Sequence, residues 1–154
     1  MSRGLLIRAA DKRDLASLLD LYRNLNPSDP PLADEHAERI WERFCRYEGS
    51  VVFVGVVGEV LVSTCTLVVV PNLTRGGASY ALIENVVTHP EHRRRGYGQA
   101  VLKSAIAAAW EFGCYKVMLL TGSKDPATLN FYQSVGFERS KTGFETRRLP
   151  PRES

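Results

Sequence analysis

The sequence predicts a mixed α/β fold, in which helices cover both faces of a central sheet. Three runs rich in β-branched residues, 51–57, 60–70 and 80–88, predict consecutive hairpin-linked strands. A helical repeat from 98 to 112 then leads into another apolar run at 115–120, which indicates a β-α-β crossover. Hairpins make the first strands antiparallel, and the crossover makes two central strands parallel.

Length indicates a single domain. The chain has 154 residues, and domains typically contain about 100–200 residues. We predict one domain over residues 1–149 and a C-terminal tail over 150–154. The predicted element order is β-α-α-β-β-β-α-β-α-β.

The N-terminal third predicts one strand and two helices. Leu5–Ala9 is a short apolar run, and Asp11 is a candidate N-cap for a helix that continues to about Leu25. The proline-rich loop 26–34 ends this helix, and Asp34 is a candidate cap for the next one. The second helix is expected to bury Ala37, Ile40, Trp41 and Phe44.

Turn residues divide the remainder of the chain. Gly58-Glu59 suits a two-residue type II′ hairpin turn, and the loop 71–78 precedes the strand Tyr80–Thr88. The next helix ends at Gly113, and we expect it to bury Val101, Leu102, Ala105, Ile106, Ala109 and Phe112.

The C-terminal quarter predicts a strand, a helix and a last strand. Tyr115–Leu120 is expected to be a buried strand. Asp125-Pro126 places an N-cap before a proline at the first helical position, and Gly136 ends that helix after Val135. A final strand is predicted at Gly143–Leu149.

Composition excludes several classes of protein. Hydrophobic residues make up 44% of the chain and charged residues 24%, as in folded globular domains, and a net charge of +3 is too small to predict a nucleic-acid-binding face. No apolar run approaches the about 20 residues of a membrane helix. The three cysteines, Cys45, Cys65 and Cys114, have no CxxC spacing, so we expect core residues in a cytoplasmic protein.

The segment Val86–Gln99, VVTHPEHRRRGYGQ, carries the strongest functional signal. It lies where a strand ends and a helix begins, and the amides of a helix's first turn favour an anion. Gly96 and Gly98 allow close approach of the backbone, and the arginines 93–95 can bind phosphate oxygens. A pyrophosphate is the expected ligand.

Other interpretations of this segment fit its residues less well. A run of arginines is often only a solvated surface, but two glycines at the start of a strong helix cost about 1 kcal/mol each and favour a binding role. A P-loop would need Gly-Lys-Ser/Thr, which is absent. A dinucleotide fingerprint would need glycine where Val101 stands.

Two motifs resemble the GNAT superfamily of N-acetyltransferases. The run from Val87 through Arg93 and Gly96 to Gly98 resembles its motif A, Arg/Gln-x-x-Gly-x-Gly/Ala. The later Asn130–Phe137, NFYQSVGF, resembles its F-Y-x-x-x-G-F motif B. The separation of the motifs and the element order also match, so the resemblance implies a GNAT fold over nearly the whole chain.

The resemblance implies an acetyl-CoA site. The backbone amides from Arg94 to Gln99 would hold the pyrophosphate, with Arg93 and Arg94 as charged contributors. The preceding strand would carry a bulge, and the pantetheine arm would lie in the resulting gap. The implied cofactor contacts are Val86, Val87, Thr88, Arg93, Arg94, Arg95, Gly96, Tyr97, Gly98, Gln99, Asn130, Phe131 and Tyr132.

Motif B implies a catalytic Tyr132 near the thioester sulfur. Full proton donation from a tyrosine of pKa about 10 to a thiolate of pKa about 8.5 is uphill, so hydrogen-bond stabilisation of the sulfur is the safer role. The alternative is a core aromatic that caps the last helix. The motif often begins with asparagine seven residues before the tyrosine, where this chain has Asp125.

Glu84 is the candidate base. A primary amine of pKa about 10 must lose a proton before it attacks, and a carboxylate on the strand could remove it through water. Ile83–Val87, IENVV, resembles the corresponding stretch of glucosamine-6-phosphate N-acetyltransferases. An ion pair with an arginine across the sheet is the alternative. Strand alternation would place Glu84, Val86 and Thr88 on one face.

The resulting hypothesis is an acetyl-CoA-dependent N-acetyltransferase that acts on a small primary amine by direct attack in a ternary complex. The acceptor pocket would involve the loop 26–34, the loop 71–79 and the face of Glu84. Asp29 and Asp34 favour a cationic acceptor, whereas Arg75 suits a phosphorylated or carboxylated one.

Two rival hypotheses remain: an amino-sugar phosphate N-acetyltransferase, and a non-catalytic acetyl-CoA-binding sensor. His89 and His92 lack metal-ligand spacing, so no metal is predicted. No nucleic-acid or membrane partner is expected, and a homodimer is plausible from the family.

Overall fold

Strands β1 (Leu5–Ala9), β2 (Val51–Val57), β3 (Val60–Val70), β4 (Tyr80–Thr88) and β5 (Val117–Met118) form one sheet in that order. The computed structural model describes residues 4–150. β1 to β4 pair antiparallel, and β4 and β5 pair parallel. The helices of this region are α1 (Leu15–Tyr22), α2 (Asp34–Phe44), α3 (Tyr97–Glu111) and α4 (Pro126–Val135). The predicted mixed α/β class is confirmed.

The described residues form two compact units that meet in sequence between Leu119 and Leu120. The first unit holds the sheet with α1, α2 and α3, and the second holds α4. Of the predicted tail 150–154, only Pro150 lies within the described residues.

Helices of the first unit cover both faces of its sheet. On one face Leu18 of α1 packs with Val52, Val54 and Val56, and Trp41 and Phe44 of α2 lie against this cluster. On the other face Val101 of α3 approaches so closely that a Cβ at Gly55 would lie 3.1 Å from its Cγ2 atom. Glycine at 55 therefore lets α3 pack directly on the sheet.

The first turn after β1 is held by a buried carboxylate. Asp11 caps a short 3-10 helix, Lys12–Asp14, by accepting a hydrogen bond from the Arg13 amide. Asp14 accepts from the Asp11 amide at 2.8 Å and from both terminal nitrogens of Arg8 at 2.7 and 2.9 Å. The predicted cap is therefore confirmed, but it starts a 3-10 turn that precedes α1.

Helix ends and buried faces differ in detail from the sequence expectations. α1 ends at Tyr22, and Asp34 is the first residue of α2 because Ala33 occupies the cap position. Ala37, Trp41 and Phe44 follow the i, i+4, i+7 line that faces the sheet. Ile40 lies beside that line and is exposed, and Phe112 and Cys45 are exposed as well, although core positions were predicted.

The predicted hairpin is confirmed. Val57 pairs with Val60 across Gly58-Glu59. Gly58 has a φ of +64°, and Glu59 is not among the described residues with positive φ. A single positive φ at the first central position is what a type II′ turn requires.

The C-terminal strands are shorter than predicted. β5 comprises only Val117–Met118, is half-buried and lies at the edge of the sheet rather than at its centre. Residues 143–149 form no strand, and Phe144 and Leu149 are exposed. An alternating sequence becomes a strand only where a neighbouring strand accepts its hydrogen bonds, and within residues 4–150 none pairs with this stretch.

α4 begins and ends as its sequence predicts. Asp125 accepts a hydrogen bond from the Ala127 amide at 3.0 Å, Pro126 is the first helical residue, and Gly136 closes the helix with a φ of +111°. None of the helices within residues 4–150 is long and apolar enough to span a bilayer.

Candidate active site

The sheet of the first unit opens between β4 and β5. The two strands pair only at Ala81 with Val117 and at Leu82 with Met118. β4 continues to Thr88, so its segment from Ile83 onward has no strand on this side within the first unit. Backbone groups along an unpaired edge can hydrogen-bond an extended ligand as a neighbouring strand would.

A bulge lies at the start of this open segment. On the β3 side, Thr66 pairs with Glu84 but Thr64 pairs with Val87, so β4 carries one extra residue. Asn85, within the bulge, has a φ of +53°. Asparagine tolerates this left-handed conformation better than most residues, and bulges bend a strand away from its neighbour. The bulge implied by the family resemblance is thus present.

The bulge changes which side chains share a face. Glu84 stands opposite Thr66, and Val87 stands opposite Thr64, so these two residues of β4 face the side covered by α1. Thr88 pairs with Ser63 and its hydroxyl lies 2.8 Å from the Ser63 hydroxyl, on the other side. The expectation that Glu84 and Thr88 share one face is therefore wrong, because simple alternation fails across the extra residue.

Glu84 is exposed, and within residues 4–150 it forms no ion pair. The predicted alternative, an ion pair with an arginine across the sheet, is not what the structure shows. A carboxylate here is available to solvent or to a ligand. The residue opposite Glu84 on β3, Thr66, is also polar.

The hydroxyl groups of Tyr22, Thr64 and Thr66 form a cluster next to Glu84. The Tyr22 hydroxyl is hydrogen-bonded to Thr66 and to Thr64, and burial raises the pKa of Tyr22 despite these bonds. Thr64 donates its only hydroxyl proton to the Phe53 carbonyl oxygen at 2.7 Å, so it can only accept from Tyr22. Alternating threonines in the otherwise apolar β3 were the sequence signal that could have predicted this cluster.

The loop after β4 combines two left-handed residues with a helix start. Arg94 has a φ of +62° and Gly96 a φ of +79°, and Tyr97 begins α3. A left-handed residue followed by a helical one turns successive amides to the same side, which creates an anion-binding concavity. The Ala100 amide donates to the Gly96 carbonyl at 3.1 Å, so the amides of Tyr97 and Gly98 precede the first helical hydrogen bond.

The arginines of this loop carry positive charge without a carboxylate partner. Within residues 4–150, none of Arg93, Arg94 and Arg95 forms an ion pair, and all three are exposed. Arg93 Nε donates to the Thr88 carbonyl oxygen at 3.2 Å, which ties the loop to the end of β4. The positive charges of these arginines can therefore attract a polyanion.

The two histidines of the loop have local roles. His89 Nδ1 accepts a hydrogen bond from the Glu91 amide, and its ring lies edge-on to the ring of His92, 5.7 Å away. Among the residues that the structure describes, no group of three His, Cys, Asp or Glu side chains is arranged to hold a metal ion.

Nucleophilic chemistry is disfavoured at the two buried cysteines, Cys65 and Cys114. Cys65 is fully buried on the α3 side of the sheet, and burial raises its thiol pKa to about 12. Burial raises the pKa of Cys114 too. Both thiols therefore stay protonated near neutral pH and are poor nucleophiles.

Motif B lies in the second unit, on α4. Tyr132 is half-buried, with its ring 5.2 Å from Phe131 and edge-on to Phe137 at 6.2 Å, whereas Asn130 is exposed. The aromatic contacts show that Tyr132 has a packing role in its own unit.

Comparison with known proteins decides the family. The model of the acetyltransferase (GNAT) family matches residues 16–137. The chain belongs to the GNAT family. A curated relative, glucosamine 6-phosphate N-acetyltransferase of Trypanosoma brucei brucei, is 33% identical over 139 residues, which are 85% of this chain and 87% of that protein.

Solved structures agree with this GNAT assignment. A putative acetyltransferase from Agrobacterium tumefaciens is 48% identical, with a TM-score of 0.89 over 93% of this chain and 99% of that one. An aminoglycoside N-acetyltransferase solved with CoA is 18% identical, with a TM-score of 0.79 over 97% and 98% of the two chains, and shares the fold. This GNAT protein is therefore an acetyl-CoA-dependent acyltransferase, and the non-catalytic sensor hypothesis is disfavoured.

Proposed function

We propose that this protein transfers the acetyl group of acetyl-CoA to a primary amine of a small acceptor by direct attack in a ternary complex. The observation that carries the proposal is the unpaired segment of β4, which begins at a bulge beside Glu84 and leads into the cationic loop before α3. An extended pantetheine arm suits the first feature, and a pyrophosphate suits the second.

This geometry and the two motifs support the proposed roles of the cofactor-site residues. The amides of the Arg94–Gln99 loop bind the pyrophosphate, with Arg93, Arg94 and Arg95 supplying charge. Val86, Val87 and Thr88 lie on the unpaired segment and contact the pantetheine arm. A backbone amide there, that of Val86, polarises the thioester carbonyl. By resemblance to motif B, Asn130, Phe131 and Tyr132 complete the cofactor contacts.

The chemical step needs one base and one group that stabilises the leaving sulfur. Glu84 accepts a proton from the acceptor ammonium through water, and the freed amine attacks the thioester carbonyl carbon. The new C–N bond forms, the C–S bond breaks, and the CoA thiolate leaves. Tyr132 donates a hydrogen bond to that sulfur, and the nitrogen loses its second proton to solvent.

A phosphorylated amino sugar is the more specific candidate acceptor. The Trypanosoma relative is named for glucosamine 6-phosphate, and a Schizosaccharomyces pombe relative of the same name is 29% identical over 52% of this chain. The Ile83–Val87 stretch, which includes Glu84, supports the same candidate. A homodimer remains a proposal from the family.

An acceptor panel tests the function. Purified protein is incubated with acetyl-CoA and each of a set of amino sugars, amino-sugar phosphates, aminoglycosides and polyamines, while free CoA thiol and acetylated product are measured. We expect one chemical group of amines to be acetylated. Binding of acetyl-CoA without transfer to any amine would contradict the proposal and favour the sensor.

A further inference from the structure

Two cations and two tyrosines form a cluster near the start of β4 and β5. The Arg75 guanidinium carbon lies 4.9 Å from the centre of the Tyr115 ring, and Lys116 Nζ lies 5.3 Å from the same ring. Lys116 Nζ also lies 5.7 Å from the centre of the Tyr80 ring. These distances are within the range of cation–π contacts. We call these four residues the Arg75 cluster.

The loop that carries Arg75 is held in place by hydrogen bonds. Asn72 Nδ2 donates to the Thr74 and Ala78 carbonyl oxygens at 3.2 and 3.1 Å, and the Gly77 amide donates to the Thr74 carbonyl oxygen at 3.0 Å. Arg75 has a φ of +56°. A non-glycine residue persists in this conformation only where its surroundings determine it, so the Arg75 position is preorganised.

Charge in the cluster is not neutralised by the protein. Within residues 4–150, no carboxylate forms an ion pair with Arg75 or with Lys116. Two like charges held around one ring repel each other, and an oxyanion between or beside them would remove that repulsion. Arginine beside lysine is a combination well suited to phosphate or carboxylate oxygens.

The register of the sheet places Tyr80, one member of this cluster, on the same face as Glu84. Tyr80 pairs with Val70 and Glu84 pairs with Thr66, with Leu82 opposite Val68 between them. No bulge interrupts β4 between Tyr80 and Glu84, so their side chains share a face. Four residues of strand span about 13 Å, which is the separation of Tyr80 and Glu84 along β4.

We propose that the Arg75 cluster is an anion subsite for the acceptor, which therefore carries a phosphate or carboxylate group in addition to its amine. The inference rests on the proposed function, in which the amine is placed near Glu84. The subsite fixes the distal oxyanion, so it determines which amines are selected and how they are oriented.

Three amino sugars with one scaffold test the subsite: glucosamine, glucosamine 6-phosphate and 2-amino-2-deoxyglucuronic acid. Their binding to the CoA-loaded protein is measured by calorimetry, and their acetylation by kcat and KM. We expect one or both anionic sugars to bind at least about tenfold more tightly than glucosamine. Comparison of the phosphate-bearing sugar with the carboxylate-bearing sugar identifies which oxyanion the subsite binds.

Substitutions assign the selectivity to the cluster. R75A and K116A should each reduce the preference for the anionic sugar by about tenfold, through KM, with the KM for acetyl-CoA unchanged. R75K should retain part of the preference. K103A removes a lysine from the exposed side of α3 and is the matched control, with no expected effect. Thermal melting verifies that each variant is folded.

Two results would overturn the inference. Wild-type protein could bind the three sugars equally or not at all, or R75A and K116A could keep the wild-type preference. Acetylation of amines that lack an anionic group, with no preference for amines that carry one, would reject the subsite while leaving the proposed function intact. Binding of the anionic sugar that depends on Arg75, without acetylation of any amine, would support the subsite and reject the function.

Discussion

Glu84 on β4 stands directly opposite Thr66 on β3, and Thr66 is hydrogen-bonded to the Tyr22 hydroxyl of α1. Opposed residues of an antiparallel pair have Cβ atoms about 5 Å apart. The carboxylate therefore lies beside a fixed polar cluster, immediately before the bulge that opens the sheet. Such a setting can hold a water molecule or an amine next to the carboxylate.

Replacing Glu84 with glutamine should slow transfer while leaving the cofactor site intact. We expect kcat/KM for the acceptor at pH 7 to fall about 100-fold, the scale of general base catalysis. The variant's rate should then rise about tenfold per pH unit until the pH reaches the pKa of the acceptor amine, because the amine loses its proton without help. Rates between pH 6 and 10 test this.

E59Q is the matched control for Glu84, since Glu59 is an exposed carboxylate at the β2–β3 turn. Its pH–rate profile should coincide with that of wild type. An E84Q variant with wild-type rates at neutral pH would remove Glu84 from the mechanism.

The variant Y132F should lower kcat about 10- to 100-fold with little change in acetyl-CoA affinity, because the hydroxyl acts on the sulfur as charge develops. Stopped-flow or steady-state release of CoA gives kcat, and calorimetry gives the dissociation constant. Y47F, at an exposed tyrosine, is the control. An unchanged kcat would show that the Tyr132 hydroxyl does not act on the leaving sulfur.

Reversing one charge in the loop before α3 should weaken CoA binding. For R94E we expect an affinity loss of more than about 10-fold, because attraction to the pyrophosphate becomes repulsion. The loss should shrink as salt screens the charges. Titrations of CoA at low and high ionic strength measure both effects.

R46E provides the same change in charge at an exposed site after α2, and its CoA affinity should be that of wild type. Equal affinities for R94E and wild type would exclude this loop from the cofactor site.

The pairing of Asp14 with Arg8 predicts an acid-sensitive contribution to stability. Hydrogen bonds from Arg8 hold the pKa of Asp14 below its ordinary value. The contribution is therefore fully present above the unfolded pKa of about 4, and it is lost as pH falls through the lowered folded value.

At pH 7 the variant D14N should lower the free energy of unfolding by about 1–2 kcal/mol, and the difference from wild type should vanish near the acid limit. Urea unfolding from pH 7 down to pH 2 measures it. D20N is the control, because Asp20 is mostly exposed and its ion pair with Arg23, at 3.8 Å, contributes little to stability. A constant difference at all pH values would contradict the ion-pair explanation.

Strands with strong local signals were predictable from the sequence. The bounds of β2, β3 and β4 coincide with runs of β-branched residues, and α4 begins and ends at its cap residues. The prediction of a strand at 143–149 was wrong because strand pairing is not a local property of the sequence. Likewise Ile40 has the right spacing for a buried face but lies at the margin of the α2 contact.

Sequence alone determined the GNAT resemblance, the cationic glycine loop and the candidates Glu84 and Tyr132, since each depends on residue types at short, fixed spacings. Tertiary structure decided where the sheet opens, that the bulge separates the face of Glu84 from the face of Thr88, and that Thr66, Tyr22 and Tyr80 lie on the Glu84 side. The physical reason is that register, bulges and side-chain proximity arise from pairing between distant segments, and no short window of sequence contains both partners.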